Sequence, residues 1–339
     1  MEQSGLTDAD RLMGKLQGFR ISCAIHLAAK LELTEHLMDG PKSVQELAAL
    51  CSVAAGPLYQ IMRSLAAEGI YREETFEVFS NTNMSRLLHR DAPGPAWNYS
   101  IIVGELYVST FANLFHSVKT GQSAFADLNG MSYWDYLGRN DELGAIFDNL
   151  MTRLYDGDVE YLLNLYDFTS LGRLLDVGGG RGSFVRALMA RHPEVECGLF
   201  ELPAVSGRNE LEFAADGLGG RCEILSGSFL EEIPSGFDAY LVKSVLHNWD
   251  DEHAARILRN CRAAGGNSAR LVIVDFIVPP GNEPSFAKGL DLTMLALFGG
   301  KERSLIQFDQ LLAGVGYRIA SVVEGESQRG LAIIVADPV

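Results

Sequence analysis

Residues 173–182 read Arg173-Leu-Leu-Asp-Val-Gly-Gly-Gly-Arg-Gly182, and the next ten, Ser183-Phe-Val-Arg-Ala-Leu-Met-Ala-Arg-His192, place apolar residues at helical spacing. The stretch predicts a buried strand running into a glycine turn and then a helix, the unit that binds a phosphate or nucleoside in a parallel sheet. Glycine suits the turn because the backbone must bend tightly and let a ligand approach closely. A dinucleotide fingerprint, G-x-G-x-x-G, is met at Gly178 and Gly180, but Ser183 holds its sixth position and Gly182 comes one residue early. A glycine turn that serves only the fold would satisfy the same pattern.

Working outward, the text from Leu171 alternates strands and helices, the signature of a parallel sheet covered on both faces. The predicted strands are Arg173–Val177, Val195–Glu201, Glu223–Ser226, Ala239–Lys243, Arg270–Val278, Arg318–Val323 and Leu331–Ala336. They form one α/β, seven-stranded doubly wound domain over 169–339. Before it, apolar residues recur helically from Asp8 to about Asp39 (Leu12, Leu16, Phe19, Cys23, Leu27, Leu31 and Leu37). Ser43-Val-Gln-Glu46 reads as a capping box, Gly56-Pro57 as an interruption, and Leu58 to Ala67 as a second helix. Ile70-Tyr-Arg and Phe76-Glu-Val-Phe79 read as a two-stranded wing. Residues 1–92 are therefore expected to form a winged-helix unit for packing or dimerisation. Residues 93–168 are expected to form a helical connector rich in aromatics, mostly core, some of them candidates to line a pocket.

The 339 residues carry 28 basic and 44 acidic side chains, a formal charge of −16. That field repels nucleic acid and anionic membrane, which favours a small-molecule ligand. A winged helix raises DNA binding, yet between Pro41 and Arg90 five basic residues meet five acidic ones, and the second helix offers only Arg63. Five scattered cysteines (Cys23, Cys51, Cys197, Cys222, Cys261) suit neither a disulfide framework nor a zinc site, and no metal is expected. The N-terminal residues lack the pattern of a secretory signal and no apolar run approaches membrane-spanning length, so a cytoplasmic protein is expected.

Ligands of open α/β sheets bind beyond the carboxyl ends of the strands. There the sequence puts Glu201, about 20 residues after the glycine turn and suited to the two hydroxyls of a ribose, though a solvated surface acid reads the same way. Gly227-Ser228-Phe229 offers a hydroxyl and a ring for a base. Lys243-Ser-Val-Leu-His247-Asn-Trp249-Asp-Asp-Glu252 puts a histidine at the fourth strand end, where it is either structural or a base. Asp275 sits inside an apolar run, where a carboxylate is costly unless paired, and Gly299-Gly-Lys-Glu302-Arg303 brings a second acid. An imidazole and two carboxylates from separate elements make a base with its orienting partners.

Asp176-Val-Gly-Gly-Gly-Arg-Gly, Glu201-Leu-Pro203, Gly227-Ser-Phe229, the Lys243–Glu252 stretch and Gly299–Arg303 together resemble the motifs of the plant and bacterial small-molecule O-methyltransferases, which use S-adenosylmethionine (SAM). The similarity runs over nearly the whole chain, the N-terminal unit resembling that family's winged-helix homodimerisation domain. The resemblance implies a class I methyltransferase, Rossmann-like fold preceded by an all-α winged-helix dimerisation domain, with Gly178 and Gly180 on the methionine part of SAM and Glu201 on the ribose. It puts Ser228 and Phe229 on the adenine, Lys243 nearby, and Arg153 facing the cofactor carboxylate. It makes His247 the general base, bracketed by Asp275 and Glu302. Phe147, Met151, Leu154, Met294 and Phe298 would line the acceptor pocket, or else be core packing. Glu201, Ser228, Asn248 and Asp275 depart from the plant pattern of Asp, Asp, Asp and Glu. The implied reaction is methylation of a hydroxyl on an aromatic or polyketide-like natural product. Two alternatives stay open: a SAM-binding relative that hydroxylates or rearranges, and a winged-helix metabolite-sensing regulator.

Overall fold

The computed structural model describes residues 7–218, 220–325 and 330–339. They pack as two units, one of residues up to 113 together with 133–155, the other of 114–132 together with 156–339. The stretch 93–168 is thus divided between the two units.

The first unit opens with α1 (Asp8–Lys30) and α2 (Leu33–His36). The helical pattern read as continuous to Asp39 breaks between them, where Glu32 takes a left-handed φ of 52°. Then follow β1 (Lys42–Ser43), α3 (Val44–Cys51), α4 (Ala55–Ala67), β2 (Tyr71–Thr75) and β3 (Val78–Asn81). The capping box opens α3 as expected, Ser43 Oγ accepting from the Glu46 N–H and Glu46 Oε2 from the Ser43 N–H. Gly56-Pro57 does not interrupt anything. It lies in the first turn of α4, where a missing N–H costs no intrahelical bond. The wing has three antiparallel strands in the order β1-β3-β2 rather than two, so the unit is not all-α; Phe76 and Glu77 form the turn between β2 and β3 instead of starting a strand. Val44, Leu47, Leu58, Met62, Leu65, Tyr71 and Phe79 make its core. Leu12, Leu16 and Phe19 point the other way, each about 60% exposed (59, 60 and 61%) on one side of α1.

Helices α5 (Ala96–Ile102), α6 (Val108–Ala112), α7 (Leu114–Thr120), α8 (Ala124–Asn129), α9 (Tyr133–Arg139), α10 (Asp141–Leu154) and α11 (Asp156–Leu165) follow, a single π turn (Val103–Tyr107) joining α5 to α6. No single helix among the described residues is long and apolar enough to cross a membrane.

The second unit carries β4 (Leu174–Val177), α12 (Ser183–Arg191), β5 (Cys197–Glu201), α13 (Pro203–Ala215), β6 (Cys222–Ser226), β7 (Ala239–Lys243), α14 (Asp251–Gly265), β8 (Arg270–Phe276), α15 (Phe286–Phe298), α16 (Leu305–Ala313), β9 (Tyr317–Glu324) and β10 (Leu331–Pro338). The strand order is β6-β5-β4-β7-β8-β10-β9; β6 through β8 pair in parallel, while β10 runs antiparallel to β8 and β9. The chain moves outward from β4 to β6 and then returns to lay β7 on β4's other side. This reversal puts the ligand crevice of such sheets at the carboxyl ends of β4 and β7. Because helices cover both faces, β4, β7 and β8 read as continuous apolar runs. Asp176 in β4 and Asp275 in β8 are buried carboxylates within those runs.

Gly198 in β5 leaves room for the Leu175 and Phe237 side chains, which an added Cβ would meet at 2.6 Å. We expect Gly198→Val to lower unfolding stability by about 1–3 kcal/mol through overpacking, read by chemical denaturation; unchanged stability would contradict this packing.

Candidate active site

After β4 the chain turns on three glycines with left-handed φ, Gly178 at 72°, Gly180 at 60° and Gly182 at 71°, a region L side chains rarely adopt. The turn is held from two sides at Gly180. Its N–H donates to Glu201 Oε1 (3.2 Å), at the end of β5, and its carbonyl accepts from Asn209 Nδ2 (2.8 Å) on α13. Glu201 Oε2 accepts from the Leu202 N–H (2.8 Å), and burial raises this carboxyl above the usual range. Phe229 leans on Gly178, where a Cβ would come within 3.2 Å of its ring, and stands edge-on to Trp249 with centroids 6.0 Å apart. Its carbonyl accepts from Asn260 Nδ2 (2.8 Å), which fixes the turn after β6. Above Gly180 an added Cβ would meet nothing within 4 Å, so the backbone there is open to a ligand.

Beneath the turn Asp176 is fully buried, and neither carboxylate oxygen has a partner among the described residues. Burial pushes its pKa up to about 7; the Glu201 charge adds to that and Lys243 opposes it. Gly178, Gly180, Glu201, Phe229 and Lys243 therefore all lie at the carboxyl ends of β4, β5, β6 and β7, with Ser228 preceding Phe229 in the chain. The open backbone at Gly180, beside the Glu201 carboxylate, fits a ligand carrying hydrogen-bonding groups.

The second constellation lies where β7 ends. Ser244 takes a left-handed φ of 54°, uncommon for a residue with a side chain, and turns the chain into a 3-10 turn, Leu246–Asn248. That turn presents His247, whose Nδ1 lies 2.8 Å from Glu302 Oε1 and 3.2 Å from Asp275 Oδ1. Carboxylates only accept, so Nδ1 carries the proton and Nε2 keeps the lone pair in the neutral ring. Asp275, although a methylene shorter than the Glu of the plant pattern, reaches the ring. Asp275 Oδ2 and Glu302 Oε2 are buried without a partner among the described residues. Burial alone would pull the imidazole pKa down, but the two carboxylates, Asp275 foremost, override it and raise it to about 10. Burial lifts Glu302 to about 7, against the pull of His247. The donor atoms of the three lie within 4.8 Å of one another, a spacing a divalent cation can also use.

The loop that brings Glu302 is pinned to β8 by an Ile277–Arg303 bridge and to α15 by the Glu302 N–H donating to Asp291 Oδ1 (2.9 Å). Two model matches describe the chain: an O-methyltransferase domain over residues 111–318 and an O-methyltransferase dimerisation domain over 13–91. A phenazine O-methyltransferase of Lysobacter antibioticus is 33% identical over 97% of this chain and 96% of its own. The solved mitomycin 7-O-methyltransferase matches with a TM-score of 0.90 at 30% identity, over 98% of both chains. An O-methyltransferase from neocarzinostatin biosynthesis, solved with SAM and 2-hydroxy-5-methyl naphthoic acid, matches at 0.84 with 30% identity, over 94% of this chain and 96% of that one. Aclacinomycin 10-hydroxylase of Streptomyces purpurascens is also 31% identical, over 93% of this chain and 86% of its own. The chain belongs to the O-methyltransferase family.

This methyltransferase uses SAM as its cofactor, and residues 13–91 are its dimerisation domain. The remaining residues singled out from the sequence fall in two places. In the first unit Arg153, on α10, donates to the carbonyls of Ala92 (2.6 Å) and Gly94 (3.3 Å), clasping the Asp91–Pro95 break. Phe147, Met151 and Leu154 share α10; Phe147 is buried edge-on against Tyr133 and Trp134. In the second unit Met294 and Phe298 sit one turn apart on α15, Met294 buried and Phe298 half-buried. Asn209, Ser244 and Arg303 escaped the sequence reading. Only Arg303 carried a signal, as the basic residue closing the Gly-Gly-Lys-Glu-Arg stretch.

Removing either carboxylate withdraws a charge that favours the imidazolium, so Glu302→Gln and Asp275→Asn are each expected to lower the His247 pKa. NMR titration of the ring checks this: the wild-type ring should titrate well above the ordinary value of about 6.5 and both variants lower than wild type. A wild-type ring titrating at or below that value would contradict the arrangement.

Proposed function

We propose that this methyltransferase transfers the SAM methyl group to a hydroxyl of a small aromatic or polyketide-like natural product, with His247 Nε2 accepting the hydroxyl proton. The observation that carries the reading is the His247 ring, fixed through Nδ1 by two buried carboxylates so that Nε2 alone is left for an acceptor. Gly178, Gly180, Glu201, Ser228, Phe229 and Lys243 would hold SAM in the crevice at the ends of β4 and β7. Bound there, SAM supplies an electrophilic methyl group on a positively charged sulfur.

A phenol with pKa about 10 yields its proton to an ordinary histidine near 6.5 at a cost of about 4.8 kcal/mol. With His247 raised to about 10 the two are matched, so transfer to the neutral ring costs little, and what remains is the cost of having the ring neutral. Only the neutral ring accepts a proton, so kcat/KM rises with pH through the raised His247 pKa and levels off above it. Met294 and Phe298 give the acceptor apolar contacts on the side of α15.

Similarity to a hydroxylase makes a non-methylating reaction the rival reading. A base with a raised pKa serves deprotonation of a hydroxyl, which favours methyl transfer. Incubation with SAM and candidate aromatic hydroxyl compounds separates the two: S-adenosylhomocysteine should accumulate in step with product. Product without it would overturn methylation. His247→Ala should lower turnover by about 10²–10⁴-fold and leave SAM affinity nearly intact; full activity, at a pH where the acceptor is mostly neutral, would sink the base assignment.

The outward Leu12, Leu16 and Phe19 of α1 form an apolar stripe suited to a second copy of the chain. We expect a native mass of twice 37.0 kDa, and a monomer from Leu16→Glu with Phe19→Glu, by light scattering. A wild-type monomer at micromolar concentration would contradict the dimer.

A further inference from the structure

We propose that Arg303 is a positioning residue for His247, its guanidinium fixing both ends of the backbone turn that presents the imidazole. This rests on the reading of His247 as the base. Arg303 is 1% exposed. Its Nη1 donates to the Leu246 carbonyl (2.8 Å) and its Nη2 to the Trp249 carbonyl (2.9 Å), the residues on either side of His247 and Asn248. Nε and Nη2 both reach Asp251 Oδ1 (3.1 and 2.9 Å), the first residue of α14. One planar group thus ties the turn before and after the histidine to the helix that follows.

A second observation comes from the other end of the same loop. A Cβ on Gly300 would fall 2.2 Å from the His247 carbonyl oxygen and 2.9 Å from the Trp249 nitrogen, so the loop lies directly on the backbone of the turn. Between these two contacts stands Glu302, bonded to Nδ1. Gly300, Glu302 and Arg303 therefore hold the turn at three points, two through its backbone and one through its ring. If Arg303 lets go, the turn can drift from Glu302 and Asp275 while both acids keep their own anchors, Asp291 for the Glu302 N–H and the β8 strand for Asp275. A buried guanidinium is suited to this because its planar fork donates in several fixed directions at once, which an ammonium cannot do.

The test is Arg303→Lys, which keeps the charge and loses the fork, together with Asp251→Asn, which removes a half-exposed partner and opens no buried cavity. Four quantities are measured: SAM affinity by calorimetry, thermal midpoint, kcat with KM, and the His247 ring titration by NMR. For Arg303→Lys we expect SAM affinity within about twofold of wild type and kcat down by about 10–100-fold, the scale of a misplaced reacting group. KM should stay close to wild type, and the ring titration should move down toward the ordinary histidine value as Nδ1 loses its close carboxylates. Asp251→Asn should move kcat and the titration in the same direction by less. A merely structural Arg303 predicts a lower thermal midpoint with kcat and the titration unmoved in every folded variant, and that result overturns the proposal. Should Arg303→Lys fail to fold, Asp251→Asn decides by the same criterion. Failure of the base reading looks different: His247→Ala then keeps its turnover, whatever the Arg303 variant does.

Discussion

A single imidazole nitrogen is shared between two buried carboxylates, and the end of the sheet is built around it. His247 Nδ1 lies within hydrogen-bond distance of both Asp275 and Glu302, and neither acid is exposed enough to take its counter-charge from water. Two carboxylates out of water are tolerable only with a proton or cation between them, so the ring is drawn toward its charged form. The same arrangement settles which nitrogen keeps its lone pair in the neutral ring. A base with a fixed tautomer and a raised pKa is what deprotonation of a weakly acidic hydroxyl requires.

The sheet supplies the three partners from separate places. β7 ends at the left-handed Ser244 and delivers His247, β8 carries Asp275 inside its apolar run, and the loop after α15 lays Glu302 alongside. The glycine turn after β4, next to β7 in the sheet, faces the same end of the strands. The glycine turn and the His247 constellation therefore stand at the reversal of strand order. Gly180 is gripped through both its N–H and its carbonyl. Asn209 does half of that from the middle of α13, where nothing in its neighbours marks it.

The sheet was legible because burial on both faces leaves unbroken apolar runs, and all seven predicted strands recur with bounds shifted by a few residues at most. Asp275 was legible for the complementary reason: a carboxylate inside such a run demands a partner. Asp176 carries the same signal within the glycine motif. Errors arose where backbone conformation, not side-chain pattern, decides. The periodicity of α1 runs on past Glu32, yet a left-handed residue breaks the helix there; Gly56-Pro57 reads as punctuation but falls in a first turn that accepts it. Arg303 stood in a recognised stretch, but its role was hidden for another reason. Its bonds go to carbonyls more than fifty residues away, and no local pattern encodes them. The outward Leu12, Leu16 and Phe19 were counted as a helical face, but the sequence alone does not say whether such a face meets its own core or another chain.

Whether His247 Nε2 takes the proton of the acceptor hydroxyl is tested most directly by a series of acceptors. kcat/KM would be measured for wild type and His247→Ala at one pH, with hydroxyl pKa running from about 10, that of a simple phenol, to well below the assay pH. An acceptor that is already ionised has no proton to give, so the deficit of the variant should shrink steadily as acceptor pKa falls and nearly vanish at the acidic end. A deficit of the same size for every acceptor would contradict the account, because His247 would then act on something other than that proton.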